Sequence, residues 1–250
     1  MEPIVIAKRY RGPESSGNGG YTSGLVAERV GRLAGAGAVG VGAVAIGAVE
    51  VTLRAPPPLE RPLRVLEDAA VDAGAAVHVF DGETLVAEGR AAELDLELPE
   101  PVAYAEAVRL AGSTPPDPEH PFPGCFTCGP NGEGLRLRTA AAGDGRVVAP
   151  WRPEARDPLL VWAALDCPGA FAVNPENARG LTVLGRLTAR IDTLPEAGDE
   201  CVVVAWPLGG EGRRLFAGTA VFRGEQALAR AKAVWIVVGD EFRDAVPSRP

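Results

Sequence analysis

Two short stretches of this sequence combine a helix start with residue types that can hold an oxygen atom. The first is Asn18-Gly19-Gly20-Tyr21, in which Asn18 is a favoured helix cap and the glycines leave the first backbone N–H groups uncovered. The second is Asp166-Cys167-Pro168-Gly169, in which the aspartate precedes a proline suited to a first helical turn. Because helix N-termini attract anions and polarised oxygens, we expect each stretch to face an oxygen of a ligand.

Asp166 is the candidate general base of the sequence. Its neighbours Trp162, Leu165 and Phe171 are apolar, and burial among them would raise the pKa of the carboxyl group and let it orient a water molecule. The alternative is that Asp166 only caps its own helix. Asn18 takes the corresponding place in the first stretch, where it can form hydrogen bonds but cannot act as a base.

The backbone N–H groups that follow these caps are candidate donors to a carbonyl oxygen that gains negative charge during a reaction. They belong to Gly20 and Tyr21 in the first stretch and to Gly169 and Ala170 in the second. If Gly20 is such a donor, a side chain at this position should obstruct the ligand. The alternative is that Gly19 and Gly20 only form a tight turn and allow close packing.

The four cysteines, Cys125, Cys128, Cys167 and Cys201, are too few for a disulfide scaffold in a chain of 250 residues. Cys125 and Cys128 form a Cys-x-x-Cys pair, which we interpret as a turn with packed thiols. A zinc site needs two further ligands, and His120 and Cys167 could supply them only if the fold brings them together. We therefore predict no metal and no cofactor, and no nucleophilic role for Cys167, which lacks a histidine partner.

The composition limits the classes of partner. Hydrophobic residues make up 46% of the chain and the net charge is −8, which disfavours nucleic acid and anionic membrane surfaces. The opening MEPIVIAKRY has no charged leader followed by an apolar run. The most apolar segment, residues 34–49, consists mostly of glycine and alanine, and we interpret it as a connection rather than a membrane span. These features predict a cytoplasmic protein.

The chain contains an internal repeat. Residues 79–83 read VFDGE and residues 221–225 read VFRGE, so four of the five positions are identical. Two weaker matches keep the same order along the chain: 10–14 with 151–154, and 52–54 with 188–190. A repeat of this kind predicts a duplicated unit. We place the units at 1–110 and 131–250, with the proline-rich residues 111–130 as a linker.

Each half predicts a short strand, a helix and then four strands, which is an α+β pattern. The helices are expected at about 21–33 and 168–173, with an earlier start near Leu159 as an alternative for the second. Glycine-containing turns at 81–82 and 223–224 predict hairpins. The predicted strands are 4–10, 49–54, 63–71, 75–80 and 84–96 in the first half, and 146–151, 181–191, 200–207, 213–222 and 226–238 in the second.

These features resemble the double hot-dog acyl-CoA thioesterases, of the acyl-CoA thioesterase II type. The resemblance rests on Gly-Gly-x-x-x-Gly at 19–24, on the strand and proline-containing turn EVTLRAPPPLERPLRV at 50–65, and on VWAALDCPGAF around Asp166. It differs from the family pattern in having Tyr21 where glutamine is common, and in lacking an Asp-His-x-x-x-Phe signature after the second helix. Thr182 and Thr188 are the candidates for the threonine that accompanies the family's aspartate.

The resemblance implies two tandem hot-dog units, each with a central helix wrapped by a curved antiparallel sheet. It implies hydrolysis of an acyl-CoA or a similar acyl thioester, with Asp166 as the catalytic residue. A homodimer is compatible with such a duplication. The alternative is a non-catalytic module that binds an acyl thioester or a lipid. The substrate-binding residues implied are Asn18, Gly19, Gly20, Tyr21, Gly169, Ala170 and Thr188.

Overall fold

The computed structural model describes residues 2–35, 47–68, 75–115, 120–131 and 133–239, so most of the predicted apolar connection at 34–49 lies outside the described residues. Within the described ranges, eleven strands form one antiparallel sheet. The strands are β1 (Ile4–Val5), β2 (Ala48–Leu53), β3 (Pro62–Asp68), β4 (Ala76–Asp81), β5 (Thr84–Ala92), β6 (Ala140–Ala141), β7 (Val147–Trp151), β8 (Thr182–Ile191), β9 (Cys201–Glu211), β10 (Arg214–Arg223) and β11 (Gln226–Val237).

The order of the strands repeats on the two sides of the sheet centre, where β2 pairs with β8. Outward from β2 the order is β5, β4, β3 and β1, and outward from β8 it is β11, β10, β9, β7 and β6. Each strand of the first side therefore has a counterpart on the second side at the same place in chain order. This arrangement is the one that a repeated strand pattern in the sequence would produce.

The helices are α1 (Gly19–Leu33), α2 (Tyr104–Ser113), α3 (Pro158–Ala164) and α4 (Cys167–Val173). Asn18 caps α1 by accepting a hydrogen bond from the backbone N–H of Tyr21, and Asp157 caps α3 by accepting one from Leu159. The proline at the start of α3 suits a first helical turn, where no N–H is needed. Among the described residues, no helix combines the length and the apolar character that a membrane crossing needs.

The core lies on one face of the sheet. Helix α1 packs against β2 to β5 and β8, α4 packs against β7 to β10, and α3 packs against α1, so that the three helices share this face. Alternation along β9 shows the two faces: Cys201 and Val203 enter the main core, whereas Val202 and Val204 pack on the opposite face beneath α2. This places the junction between α1, α3 and α4 deep in the protein.

The predicted strands agree with the structure to within a few residues, except for the first, and residues 69–71 of the strand expected at 63–71 lie outside the described residues. The strand expected over 4–10 ends at Val5, and a short 3₁₀ helix follows at Lys8–Tyr10. The helix expected at 168–173 is α4, and the alternative start near Leu159 corresponds to the separate helix α3. Helix α2 was not predicted. Part of the expected linker is also buried, because Cys125, Phe126 and Thr127 pack inside the protein.

Candidate functional site

Asp166 lies in the two-residue connection between α3 and α4, and only 2% of it is exposed. Its Oδ2 atom accepts hydrogen bonds from Asn18 Nδ2 at 2.8 Å and from the backbone N of Gly20 at 3.0 Å. Although Asp166 precedes α4, its side chain forms no capping hydrogen bond with that helix. The carboxylate therefore binds the N-terminus of α1, where the positive end of the helix dipole favours an anion. The two stretches singled out in the sequence meet at this point.

The close approach of α1 and α3 depends on Gly20. A Cβ atom at this position would lie 2.5 Å from the backbone oxygen of Trp162 and 2.6 Å from Asp166 Cβ. Both distances are too short for a real side chain. The structure therefore places packing, rather than an open ligand cavity, beside the Cα atom of Gly20, and this corrects the expectation that a side chain here would obstruct a ligand.

Burial is the main influence on the ionisation of Asp166, and it raises the pKa of the carboxyl group to about 7. The hydrogen bonds from Gly20 and Asn18 act in the opposite direction, because they stabilise the carboxylate. The two oxygens differ in environment. Oδ2 has three donors, Asn18, Gly20 and the Cys167 thiol, whereas the buried Oδ1 has no hydrogen-bond partner among the described residues. One oxygen is thus held by the protein, and the other is buried without a partner among the described residues.

A cavity of about 210 Å³ adjoins this carboxylate. Its lining is mostly apolar and includes Leu53, Leu184, Ile236 and Trp235. The polar and thiol side chains among its lining residues belong to Ser16, Asn18, Arg54, Cys125, Asp166, Cys167 and Thr182, and Gly19 also lines the cavity. An apolar chamber with a few convergent polar groups is the usual form of a site for a small molecule.

Three cysteines lie next to the carboxylate, and we call Cys125, Cys128 and Cys167 the thiol cluster. Their sulfur atoms all lie within 4.8 Å of one another, and the Cys125 and Cys167 sulfurs are 3.7 Å apart. Asn18 Nδ2 lies 3.7 Å from Cys125 Sγ, and the Cys167 thiol lies 3.9 Å from Asp166 Oδ2. The fold therefore brings Cys167 to the Cys-x-x-Cys pair. His120 is not part of this group.

Several predicted binding residues lie away from the cavity lining. The Tyr21 ring stacks on Tyr10 at 3.8 Å between ring centroids, and Thr188 Oγ1 donates to Glu50 Oε2 at 3.4 Å across the β2–β8 pair. A Cβ atom at Gly169 would lie 2.9 Å from Trp235 Nε1, so this glycine allows α4 to pack on the sheet. Ala170 also packs against the main core.

Three of the predicted N–H donors, those of Gly20, Tyr21 and Gly169, already have acceptors. Gly20 donates to Asp166 Oδ2, Tyr21 donates to Asn18 Oδ1, and Gly169 donates to the backbone oxygen of Asp166. Gly19, the first residue of α1, was not among the predicted donors, and its N–H group is in a different state. Its N–H lies before the hydrogen-bonded ladder of the helix and donates to no group in the described part of the chain, and Gly19 lines the cavity.

Sequence reasoning missed two contributions to the site. Leu184 of β8 forms part of the cavity wall directly beside Gly19, where a Cβ atom would come within 2.8 Å of Leu184 Cδ2. Cys125 reaches the site from the segment that was expected to be a linker. The signal available for the second was CFTCG itself, because a cysteine pair with an intervening Phe is unusual in a solvent-exposed linker.

No protein-family model matches the sequence, and no curated protein does so significantly. Solved structures do share the architecture. A hot-dog fold protein of unknown function from Alicyclobacillus acidocaldarius is 12% identical, with a TM-score of 0.65 over 94% of this chain and 91% of the other. A candidate thioesterase from Novosphingobium aromaticivorans is 16% identical, with a TM-score of 0.61 over 94% of both chains. An acyl-CoA thioesterase II from Mycobacterium marinum is 11% identical, with a TM-score of 0.53 over 77% of this chain and 80% of the other.

At these identities the likeness concerns the fold. It agrees with the single antiparallel sheet and its few helices. The chain therefore has the fold of these structures, one of which is named a hot-dog fold protein and two of which are named thioesterases.

Proposed function

We propose that this chain is a thioesterase-like hydrolase that acts on an acyl-CoA or a similar acyl thioester. The observation that carries the proposal is the state of Asp166. One carboxylate oxygen is held by Asn18 and Gly20, the other is buried without a partner among the described residues, and Asp166 lines an apolar cavity. A carboxylate fixed in this way can orient a water molecule and accept its proton.

The reaction requires only water and the thioester. Asp166 Oδ1 accepts a hydrogen bond from a water molecule and takes its proton as the oxygen attacks the thioester carbonyl. The carbon–sulfur bond then breaks, and the proton passes to the departing sulfur. The products are a carboxylic acid and a free thiol. The apolar cavity walls would hold the acyl group, because transfer of hydrocarbon from water to such a surface is favourable.

Gly19 supplies the group that would stabilise the developing oxyanion. Its N–H is the first of α1, it has no acceptor among the described residues, and Gly19 lines the same cavity as Asp166. A backbone donor at a helix N-terminus needs no reorganisation when charge develops on the carbonyl oxygen. This role replaces the one expected for Gly20, whose N–H donates to Asp166.

The proposal includes two tandem hot-dog units, at 1–110 and 131–250, joined by 111–130. The matching order of strands on the two sides of β2 and β8 supports a duplication. Under this interpretation α1 is the central helix of the first unit, and α3 with α4 serves the second. Asn18 and Asp166 hold equivalent positions in the two units, and they meet where the units join.

A direct test is to incubate the purified protein with acyl-CoA esters of graded chain length and to measure free thiol with a chromogenic reagent. We expect enzyme-dependent thiol release for at least one ester. Binding of the same esters is measured in parallel by calorimetry. Binding without thiol release would support the alternative of a non-catalytic acyl-thioester or lipid-binding module, and the absence of both would contradict the proposal.

A further inference from the structure

The thiol cluster is not used by the proposed hydrolysis. Cys125 and Cys167 are buried and line the cavity, and Cys128 is partly exposed beside them. Three thiols from two distant parts of the chain thus converge on one small volume, with all three sulfurs within 4.8 Å of one another. The fourth cysteine, Cys201, lies on β9 and is not part of the group.

The spacing of the sulfurs fits a tetrahedral metal ion. A zinc ion with sulfur ligands at about 2.3 Å places neighbouring sulfurs about 3.8 Å apart. The Cys125 and Cys167 sulfurs are separated by 3.7 Å. Only a small rearrangement would then bring the Cys128 sulfur to the same spacing, since it lies within 4.8 Å of the other two.

The backbone around the cluster is built to present two cysteines to one point. The N–H of Gly129 donates to the oxygen of Cys125 at 2.9 Å and closes the turn of CFTCG. Gly129 is required there, because a Cβ atom would lie 2.4 Å from the backbone nitrogen of Cys125. The N–H groups of Leu135 and Leu137 then donate to the oxygens of Phe126 and Thr127, each at 2.8 Å, so the returning chain holds the turn in place.

An amide group also faces the cluster. The amide nitrogen Nδ2 of Asn18 lies 3.7 Å from Cys125 Sγ. N–H groups directed at sulfur are typical outer partners of metal-bound thiolates.

We propose that Cys125, Cys128 and Cys167 bind Zn²⁺, or another thiophilic divalent cation, as three thiolate ligands. The fourth position is assigned to a water molecule from the cavity that Cys125 and Cys167 line. Asp166 is a poorer fourth ligand, because its nearer oxygen, Oδ2, already accepts hydrogen bonds from Asn18 and Gly20. Binding replaces three thiol protons by the metal ion, and the protons pass to the buffer.

The test uses the full-length protein, purified under reducing conditions and freed of metal with a chelator. Zn²⁺ affinity and stoichiometry are measured by competition with a chromophoric chelator, and Co²⁺ is added separately to record its absorption spectrum. We expect one Zn²⁺ per chain, and for Co²⁺ the thiolate charge-transfer bands and intense visible bands of a tetrahedral site. Zn²⁺ should also raise the melting temperature, because it binds the folded chain.

The matched variants are Cys128→Ala and Cys201→Ala. Cys128 is a proposed ligand that does not line the cavity, whereas Cys201 is a buried cysteine elsewhere in the fold. We expect Cys128→Ala to weaken Zn²⁺ binding by roughly 100-fold or more, since loss of even an outer partner weakens metal sites 10- to 100-fold. Cys201→Ala should bind Zn²⁺ like the parent protein.

A parent protein that binds no stoichiometric Zn²⁺, or a Cys128→Ala variant that binds it like the parent, would overturn the proposal. If Cys128→Ala does not fold, the Co²⁺ spectrum of the parent decides, because a site without thiolate bands excludes sulfur ligation. None of these outcomes depends on thiol release from an ester. Zn²⁺ binding without thiol release would support this proposal and contradict the proposed function. Thiol release without Zn²⁺ binding would do the reverse.

Discussion

The carboxylate of Asp166 accepts a hydrogen bond at 3.0 Å from the backbone nitrogen of Gly20, which lies 146 residues earlier in the chain. An aspartate at the start of α4 therefore accepts a hydrogen bond from the first turn of a different helix, α1. Because Gly20 has no side chain, α1 approaches α3 closely enough for this contact. The bond fixes Asp166 Oδ2, whereas the buried Oδ1 has no hydrogen-bond partner among the described residues.

Gly20→Ala should destabilise the fold rather than only weaken ligand binding. The new Cβ atom would collide with the backbone oxygen of Trp162 and with Asp166 Cβ, so the helices must separate. We expect the free energy of unfolding to fall by about 2–3 kcal/mol, as for other overpacked core sites, measured by urea denaturation.

Gly112→Ala is the matched control for that variant, because it also replaces a glycine within a helix. A Cβ atom at Gly112 meets no described atom within 4 Å. The free energy of unfolding should stay unchanged or rise by up to about 1 kcal/mol, since alanine has the higher helix propensity. Equal effects of the two substitutions would show that the contact between α1 and α3 does not depend on Gly20.

Gly19→Ala should impair the site while the protein remains folded. Its Cβ atom would lie 2.8 Å from Leu184 Cδ2 and 2.9 Å from Leu184 Cβ, so the Leu184 side chain and the strand that carries it must shift at the cavity wall. For a thioester that the parent protein hydrolyses, we expect kcat/KM to fall roughly 10-fold or more, because a small displacement of the bound carbonyl slows the reaction.

Leu184→Ala provides the second arm of this experiment, because it removes the Cδ2 and Cγ atoms that Gly19→Ala displaces and keeps only the Cβ contact at 2.9 Å. In the double variant, part of the lost kcat/KM should return, which a double-mutant cycle measures as a coupling between the two positions. Strictly additive effects would indicate that Gly19 acts on the substrate without Leu184.

Regular structure could be predicted because its signals are local. Alternating residues and glycine turns gave β8 to β11 to within a few residues, and Asn18 marked the start of α1. The 3₁₀ helix at Lys8–Tyr10 could not be predicted from alternation, because contacts with other segments stabilise it. One of these contacts is the hydrogen bond from Asn18 N to Tyr10 O at 2.8 Å.

The site was predicted residue by residue but not as one assembly. The sequence indicates that Asn18 and Asp166 each stand at a helix start, in corresponding places of the two repeats. Their hydrogen bond at 2.8 Å depends on how α1 crosses the α3–α4 connection, which no local pattern encodes. For the same reason the available N–H group belongs to Gly19 rather than Gly20, because the position of Asp166 decides which donor is already occupied.

Thr127→Val should destabilise the protein by about 1–2 kcal/mol. The Thr127 hydroxyl is fully buried and donates to the backbone oxygen of Ala163 at 3.0 Å, which joins the CFTCG turn to α3. Thr219→Val is the matched control, because Thr219 is equally buried but its hydroxyl has no partner within the described ranges. Thermal melting should show a loss for the first variant and no loss for the second. The reverse order would contradict the assigned hydrogen bond.

The central claim is tested most directly by Asp166→Asn in the thiol-release assay, with substrate affinity measured alongside. An amide oxygen in place of Oδ2 can still accept from Asn18 and Gly20, so the fold and the cavity should persist. The amide cannot accept a proton from water. We predict that kcat falls by roughly 100-fold or more while thermal stability and thioester binding change little. Turnover equal to that of the parent protein on the same ester would contradict the account.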